Sequence, residues 1–487
     1  MARLLSLVAR PSVPEHVPRT QIVAFGMLSL AVAGGTCLMA TWIAGAPPLV
    51  LSPAHLRDTT WPVVTGLAVT ATADGWLMGH RRTRSAPVRI GAWPPRASGA
   101  SRRAPPVSEP RGWERGAMRH VEVTLFLGGD VMLGRGVDQA LAHPGDPALV
   151  EPYVTDARTY LEMAERANGP VPRPVDDTWP WGDALAALTA AAPHVRVVNL
   201  ETGVTARGLP ADGKVVHYRM HPSNLGCLIS LRPDVCTLAN NHVLDFGRPG
   251  LLDTLEALDA AGLGRAGAGR DLQEARRPAV VPLDDRSRVL VAAVGHASSG
   301  IPSGWAATAE GPGIAVVEEL SADAGREVAA GLERHARTGD LRVVSVHWGP
   351  NWGYRPDDAE VEFAHALVDG GVDVVHGHSS HHPRPAEIYR DRLILYGCGD
   401  LVNDYEGISG HESYRPDLRL LYLVTLRTVD GALTSVRMLP MRARRLRLEH
   451  ASGEDAGWLH ARLDDAGAAL GTRVARLDDG TLTLRRG

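Results

Sequence analysis

Lysine is nearly missing from this chain: Lys214 is the only one among 51 basic residues, and the rest are arginine. With abundant Ala, Gly and Pro, that skew reads as a GC-rich coding bias and not as phosphate recognition. A basic excess is missing too. The formal net charge is -4, which argues against a nucleic-acid partner, because such proteins carry a basic stripe. Cysteine is scarce: Cys37, Cys227, Cys236 and Cys398 form no C-x-x-C pair, so neither a disulfide scaffold nor a thiolate zinc site is indicated. No G-x-S-x-G, H-E-x-x-H or G-x-x-x-x-G-K-[ST] occurs, which removes the common nucleophile, zincin and P-loop signatures. Gly262, Gly264 and Gly267 spell G-x-G-x-x-G, but they follow a helical pattern and not a strand. They read as a helix stop and a loop.

The first 117 residues differ from the rest. Residues 22–46 are uncharged and mostly apolar, long enough as a helix to cross a bilayer. Residues 61–80 form a weaker second segment interrupted by Asp74. Arg3, Arg10 and Arg19 precede the pair, and Arg81, Arg82, Arg84 and Arg89 follow it. That bias predicts a helical hairpin in the membrane with both ends cytoplasmic. If only the first segment inserts, the main domain lies outside. Residues 85–117 have a Pro/Arg-rich linker composition. Met118, just before the first strong strand, is an alternative start that would give a soluble cytoplasmic protein.

From Val121 strands alternate with helices. Strands are expected at 121–127, 195–200, 235–238, 289–294, 341–346, 372–375, 393–396 and 418–426. Helices are expected around 157–167, 183–192 (with Asp183 as N-cap), 222–231, 249–261, 322–336, 359–368 and 454–468, with a terminal hairpin turning at Asp479-Gly480. Strands separated by helices imply a largely parallel sheet covered by helices. The expected organisation is a hydrophobic region at 1–84, a linker at 85–117, a main domain at 118–405 and a strand/helix extension at 406–487.

Five apolar strands break into polar residues at their carboxyl ends, where α/β folds keep their sites. They end in Gly128-Gly129-Asp130, Glu201, Asn240-Asn241-His242, His347, and His378 with His381. Alone, each has a plain explanation: a turn cap for Asp130, an arginine partner for Glu201, a satisfied core imidazole for each histidine. Together, buried carboxylates, a neutral amide oxygen and imidazoles point to a site for Zn, Mn or Fe, with one or two ions.

The segments GGDVMLGR (128–135), VVNLE (197–201), LANNHVLDFG (238–247), VHWGPNWG (346–353) and DVVHGHSSHHPRPAEIYRDRLILYGCGDLVND (373–404) resemble the capsule-synthesis CapA family, also called the poly-γ-glutamate biosynthesis (PGA_cap) family. That family resembles the calcineurin-like metallophosphoesterases. The resemblance implies a two-sheet β-sandwich flanked by helices. It also implies a metal-dependent hydrolase acting on a phosphoester or γ-linked amide, or else a non-catalytic subunit of a membrane polymer-synthesis complex. By the same likeness, Asp130, Glu201, Asn241, His347, His378 and His381 are expected metal ligands, with Glu201 bridging. His242 is the expected general acid and Arg135 an anion contact; other synthesis subunits are the expected partners. Three departures stand out: Met132 replaces the histidine of Asp-x-His, the last pair is His378-x-x-His381, and Glu201 replaces an aspartate.

Overall fold

Two twisted sheets pack face to face in the computed structural model, which describes residues 122–487 and the backbone of Ser29–Ala33 and Thr36–Ala40. In the first sheet, β1 (Glu122–Val131), β2 (Val195–Leu200), β3 (Val235–Thr237) and β4 (Gly264–Ala266) run parallel. In the second, β5 (Ala279–Pro282) flanks the parallel set β6 (Arg288–His296), β7 (Leu341–His347) and β8 (Val374–His378). That set continues into β10 (Arg392–Leu395), with β9 (Ala386–Tyr389) antiparallel at the edge. The short β11 (Asp400–Val402) returns to pair with β1. Residues 406–487 complete the first sheet. β12 (Leu418–Arg427) lies antiparallel beside β1 and β13 (Leu433–Ala443) antiparallel beside β12, followed by the hairpin β14 (Thr472–Arg476) and β15 (Leu482–Arg486).

Residue alternation explains the layering. On β1, Leu125 and Leu127 face the core shared by both sheets, while Phe126 faces the helices outside. On β7 and β8, Val343 and Val374 face that shared core, and Val344 and Val375 face the opposite helical layer. Sheets apolar on both faces need cover on both sides. Helices α1 (Arg158–Asn168), α2 (Asp183–Ala191) and α3 (Gly247–Ala260) belong with the first sheet, and α4 (Ala322–Glu333) and α5 (Asp358–Asp369) with the second. The order is helix, sheet, sheet, helix: a mixed α/β sandwich in place of the single largely parallel sheet that strand–helix alternation suggests.

Three local expectations change. Asp183 is the first residue of α2 and not its cap; Gly182 holds the cap position. The helix expected at 222–231 divides into a 3-10 turn, Pro222–Asn224, and a short helix, Leu225–Ser230. Within the apolar span 22–46, where a membrane helix is expected, Ser29–Ala33 and Thr36–Ala40 pair as antiparallel strands. The rest of that span and all of 61–80 lie outside the described residues. Among the described residues no helix is long and apolar enough to cross a membrane.

Candidate metal centre

Strand register brings the polar strand ends to one level. Asp130 lies opposite Asn199 on β2 and Asp400 on β11, and His347 lies opposite His378 across β7 and β8. A bulge between Leu127 and Asp130 delivers the aspartate. It requires glycine, because a Cβ on Gly129 would overlap the carbonyl oxygen of Gly399. The Asp130 backbone N–H instead donates to that oxygen at 3.0 Å.

Asp130, His347 and His378 form a buried cluster whose ligand atoms all lie within 4.8 Å of one another. The two imidazole Nδ1 atoms are 2.7 Å apart, and His378 Nδ1 is 3.7 Å from Asp130 Oδ1. Glu201 Oε1 stands 3.5 Å from His347 Nε2, which also meets Asn241 Oδ1 at 3.0 Å. Of the six expected ligands, five are therefore brought together. His381 stands beside them with its Nδ1 committed to Asp400 Oδ1 at 3.0 Å. Burial opposes its protonation, but the Asp400 charge wins and raises the His381 pKa.

The electrostatics of this cluster are those of a site built for positive charge. Burial, then repulsion from Asp400, lifts the Asp130 pKa to about 7. Burial and the Asp130 charge hold Glu201 well above the carboxylate range. Burial keeps His347 and His378 far below the usual imidazole value, so both are neutral with lone pairs to give. Glu201 Oε2 is buried and has no hydrogen-bond partner. An orphaned buried carboxylate oxygen costs free energy unless a cation answers it. Mixed carboxylate, amide and imidazole donors suit Zn, Mn or Fe, so the residues present fit such an ion.

Residues outside the expected ligand set hold these side chains in place. Asn199 Nδ2 donates to Asp130 Oδ1 at 2.8 Å, and the Ser379 N–H donates to Oδ2 at 3.1 Å. Ser379 sits at φ 103°, a strained conformation for a residue with a Cβ. Ser345 Oγ lies 2.7 Å from His378 Nε2 and leaves Nδ1 to face the cluster. Such partners fix ring orientation and tautomer in metal sites. Asn240 is a scaffold: its Oδ1 accepts the N–H groups of His242 and Val243, and its Nδ2 donates to Asn199 and Leu200. The Met132 sulfur accepts from the Tyr405 hydroxyl at 3.5 Å.

His242 forms its own unit. Its Nδ1 donates to Asp245 Oδ2 at 2.6 Å, and its Nε2 points toward Glu201 Oε1 at 3.9 Å. Lys214 donates to Asp245 Oδ1 and to the Asn241 carbonyl. Burial, only partly offset by Asp245, pulls the His242 pKa down to about 4, so its resting form is neutral. The spacing of His242 and Asp245 within one motif was the available sequence signal; nothing in the local sequence announced Lys214.

Arg135 does not join the cluster, although it stacks on the Tyr218 ring that packs against His242. Its Nε donates to Asp404 at 3.1 Å, its second nitrogen to Glu151 at 2.9 Å, and its carbon stacks 3.8 Å from the Tyr160 ring centroid. These partners occupy the fork expected to meet an anion. Arg135→Ala would leave two buried carboxylates unpaired and is expected to lower stability by about 3–5 kcal/mol. A urea midpoint shifted down at unchanged slope is the measure of that loss.

The comparisons with known proteins concern the same segment. Residues 124–405 match the family described as "Bacterial capsule synthesis protein PGA_cap". The chain is 53% identical over 363 residues to a protein of Mycobacterium tuberculosis named "probable polyglutamine synthesis accessory protein", covering 74% of this chain and 96% of that one. It is 27% identical over 279 residues to the "PGA biosynthesis protein CapA" of Bacillus subtilis, covering 57% of this chain and 62% of the relative. Every strand end that contributes to the cluster falls inside the matched segment, and the chain belongs to the bacterial capsule synthesis protein PGA_cap family.

Proposed function

We propose that this protein is a metal-dependent hydrolase of capsule or polyglutamate metabolism, metallophosphoesterase-like, with water attacking a phosphoester or a γ-linked amide. The observation that carries the reading is the buried Asp130–Glu201–His347–His378 cluster with its partnerless carboxylate oxygen, next to a histidine–aspartate pair. The relatives' names support the biological context.

Asp130, Glu201, Asn241, His347 and His378 would hold one or two ions. His381 would join only through its Nε2, since Nδ1 serves Asp400. A divalent ion there supplies Lewis acidity toward water and a substrate oxygen. Asp245 keeps one proton on His242 Nδ1 and leaves Nε2 able to take up the proton that the attacking water loses and pass it to the leaving oxygen of a phosphoester or the leaving nitrogen of an amide. The surrounding burial strengthens each of these interactions.

Assays of the purified chain with Mn, Zn or Fe, on phosphomonoesters, phosphodiesters and poly-γ-glutamate, are expected to show metal-dependent turnover of one class. Met132, where related phosphoesterases carry a ligand, and the "accessory protein" wording support a second reading: a one-ion binding subunit of a membrane synthesis complex, anchored through residues 1–84. Metal-loaded protein without turnover on any substrate, yet still required for polymer production in cells, would favour that reading.

A further inference from the structure

The chain's only lysine is placed by a loop against the proposed proton-transfer unit. Much of the loop, residues 206–217, is exposed, yet the Lys214 side chain is only 12% exposed and the Asp245 side chain it meets is fully buried. Three ties fasten the loop to the turn that carries His242. The Ala211 N–H donates to the Asp245 carbonyl oxygen at 2.8 Å. The Tyr218 N–H, just past the loop, donates to Asp245 Oδ2 at 2.7 Å. Gly208, at φ 90°, lies so close to Phe246 that a Cβ there would overlap its carbonyl oxygen.

Within that frame the lysine contacts converge on the same turn. Nζ donates to the Asn241 carbonyl oxygen and to Asp245 Oδ1, and it lies 3.3 Å from His242 Nδ1 and 4.8 Å from the Trp305 ring centroid. His242 Nδ1 already gives its proton to Asp245 Oδ2. The two carboxylate oxygens therefore have separate donors: the imidazole and the Tyr218 amide on Oδ2, the ammonium on Oδ1. A carboxylate gripped at both oxygens by charged and polar donors is fixed in orientation as well as in place. The ammonium also answers the Asp245 charge, which would be costly to bury beside a neutral imidazole alone.

We infer that Lys214 is a positioning residue of the proposed reaction, acting through Asp245 and the Asn241 peptide to hold His242 with Nε2 toward Glu201. Its effect on rate rests on the hydrolase reading above; its grip on the turn does not.

Lys214→Met tests it, read beside His242→Ala and the double variant. Lys214→Met is expected to keep its ion, hold KM within about twofold and lower kcat by about 10–100-fold, less than deletion of the imidazole itself. The loss should shrink for leaving groups stable as anions. In the His242→Ala background the same substitution should cost almost nothing further, since both changes remove one proton transfer. A lower melting temperature is expected whether Lys214 positions His242 or only stabilises the fold, because Asp245 is left buried without its cation; stability therefore does not decide. Should Lys214→Met not fold, Lys214→Met/Asp245→Asn removes both charges at once and enters the same cycle. An undiminished loss in the His242→Ala background, an equal loss across leaving groups, a loss carried by KM or a loss of bound ion would each overturn the proposal. Proton NMR gives a readout independent of turnover: the His242 Nδ1–H signal, shifted downfield by its bond to Asp245 and assigned by its absence from His242→Ala. Its loss or marked shift in Lys214→Met supports the proposal even in a wild type that hydrolyses nothing, a result that would remove the hydrolase reading alone. Its absence from wild type, or its persistence unchanged in Lys214→Met, would overturn the proposal in an active and an inactive protein alike.

Discussion

Purified protein carrying His347→Ala is expected to lose its divalent ion, with affinity falling by more than about 100-fold. Outer partners of metal ligands typically cost 10–100-fold when removed, so a direct ligand costs more and Ser345→Ala should fall inside that range. His347 touches the Nδ1 of His378, the side chain of Asn241 and Glu201, so its loss opens the centre of the cluster. Elemental analysis and titration calorimetry would measure the change. The ion should also raise the melting temperature of the wild type, as any ligand of the native state does, and that rise should vanish in the variant. The pH dependence has a definite sign. Without an ion, folding raises Asp130 from an ordinary 3.8 to about 7, so its contribution to stability is present below about pH 4 and lost as pH rises to about 7. An ion must displace that proton, and the metal-induced rise should therefore grow between pH 5 and pH 8. A wild type that carries no ion and melts identically with and without added Mn, Zn or Fe would end the metal reading.

His242→Ala is expected to keep the ion and lower turnover by about 10²–10⁴-fold, the range of a lost proton-transfer group. Its contacts separate it from the ligands: Nδ1 belongs to Asp245, and Nε2 stands 3.9 Å from Glu201. If His242 delivers a proton to the leaving oxygen, the loss should shrink for leaving groups stable as anions, which need none. Substrates graded by leaving-group acidity test this directly. An equal loss across the series, or a loss of bound ion, would make His242 a ligand or a structural residue.

The site was more legible than its supports. Asp130, Glu201, Asn241, His347 and His378 each end an apolar strand, and a parallel sheet must present such ends along one edge; that much follows from local pattern. Arg135 sits in the same motif as Asp130, yet its partners Asp404 and Glu151 are 269 and 16 positions away, so no local pattern could show that its fork was occupied. His381 is three residues from His378, and its commitment to Asp400 depends on how β11 returns to β1. Lys214 carries no sequence signal beyond its rarity, because a loop and not a periodic element brings it to Asp245.

Composition and hydrophobic period by themselves determined the main apolar strands and the chemistry at their ends, since side-chain alternation and backbone preference act over a few residues. Register, sheet partition and electrostatic engagement were decided only by the tertiary structure. Whether β12 inserts beside β1, whether the strands form one sheet or two, and which carboxylate meets which cation all depend on long-range contacts. The burial that lifts Asp130 and Glu201 and silences the imidazoles exists only when both sheets have closed over them.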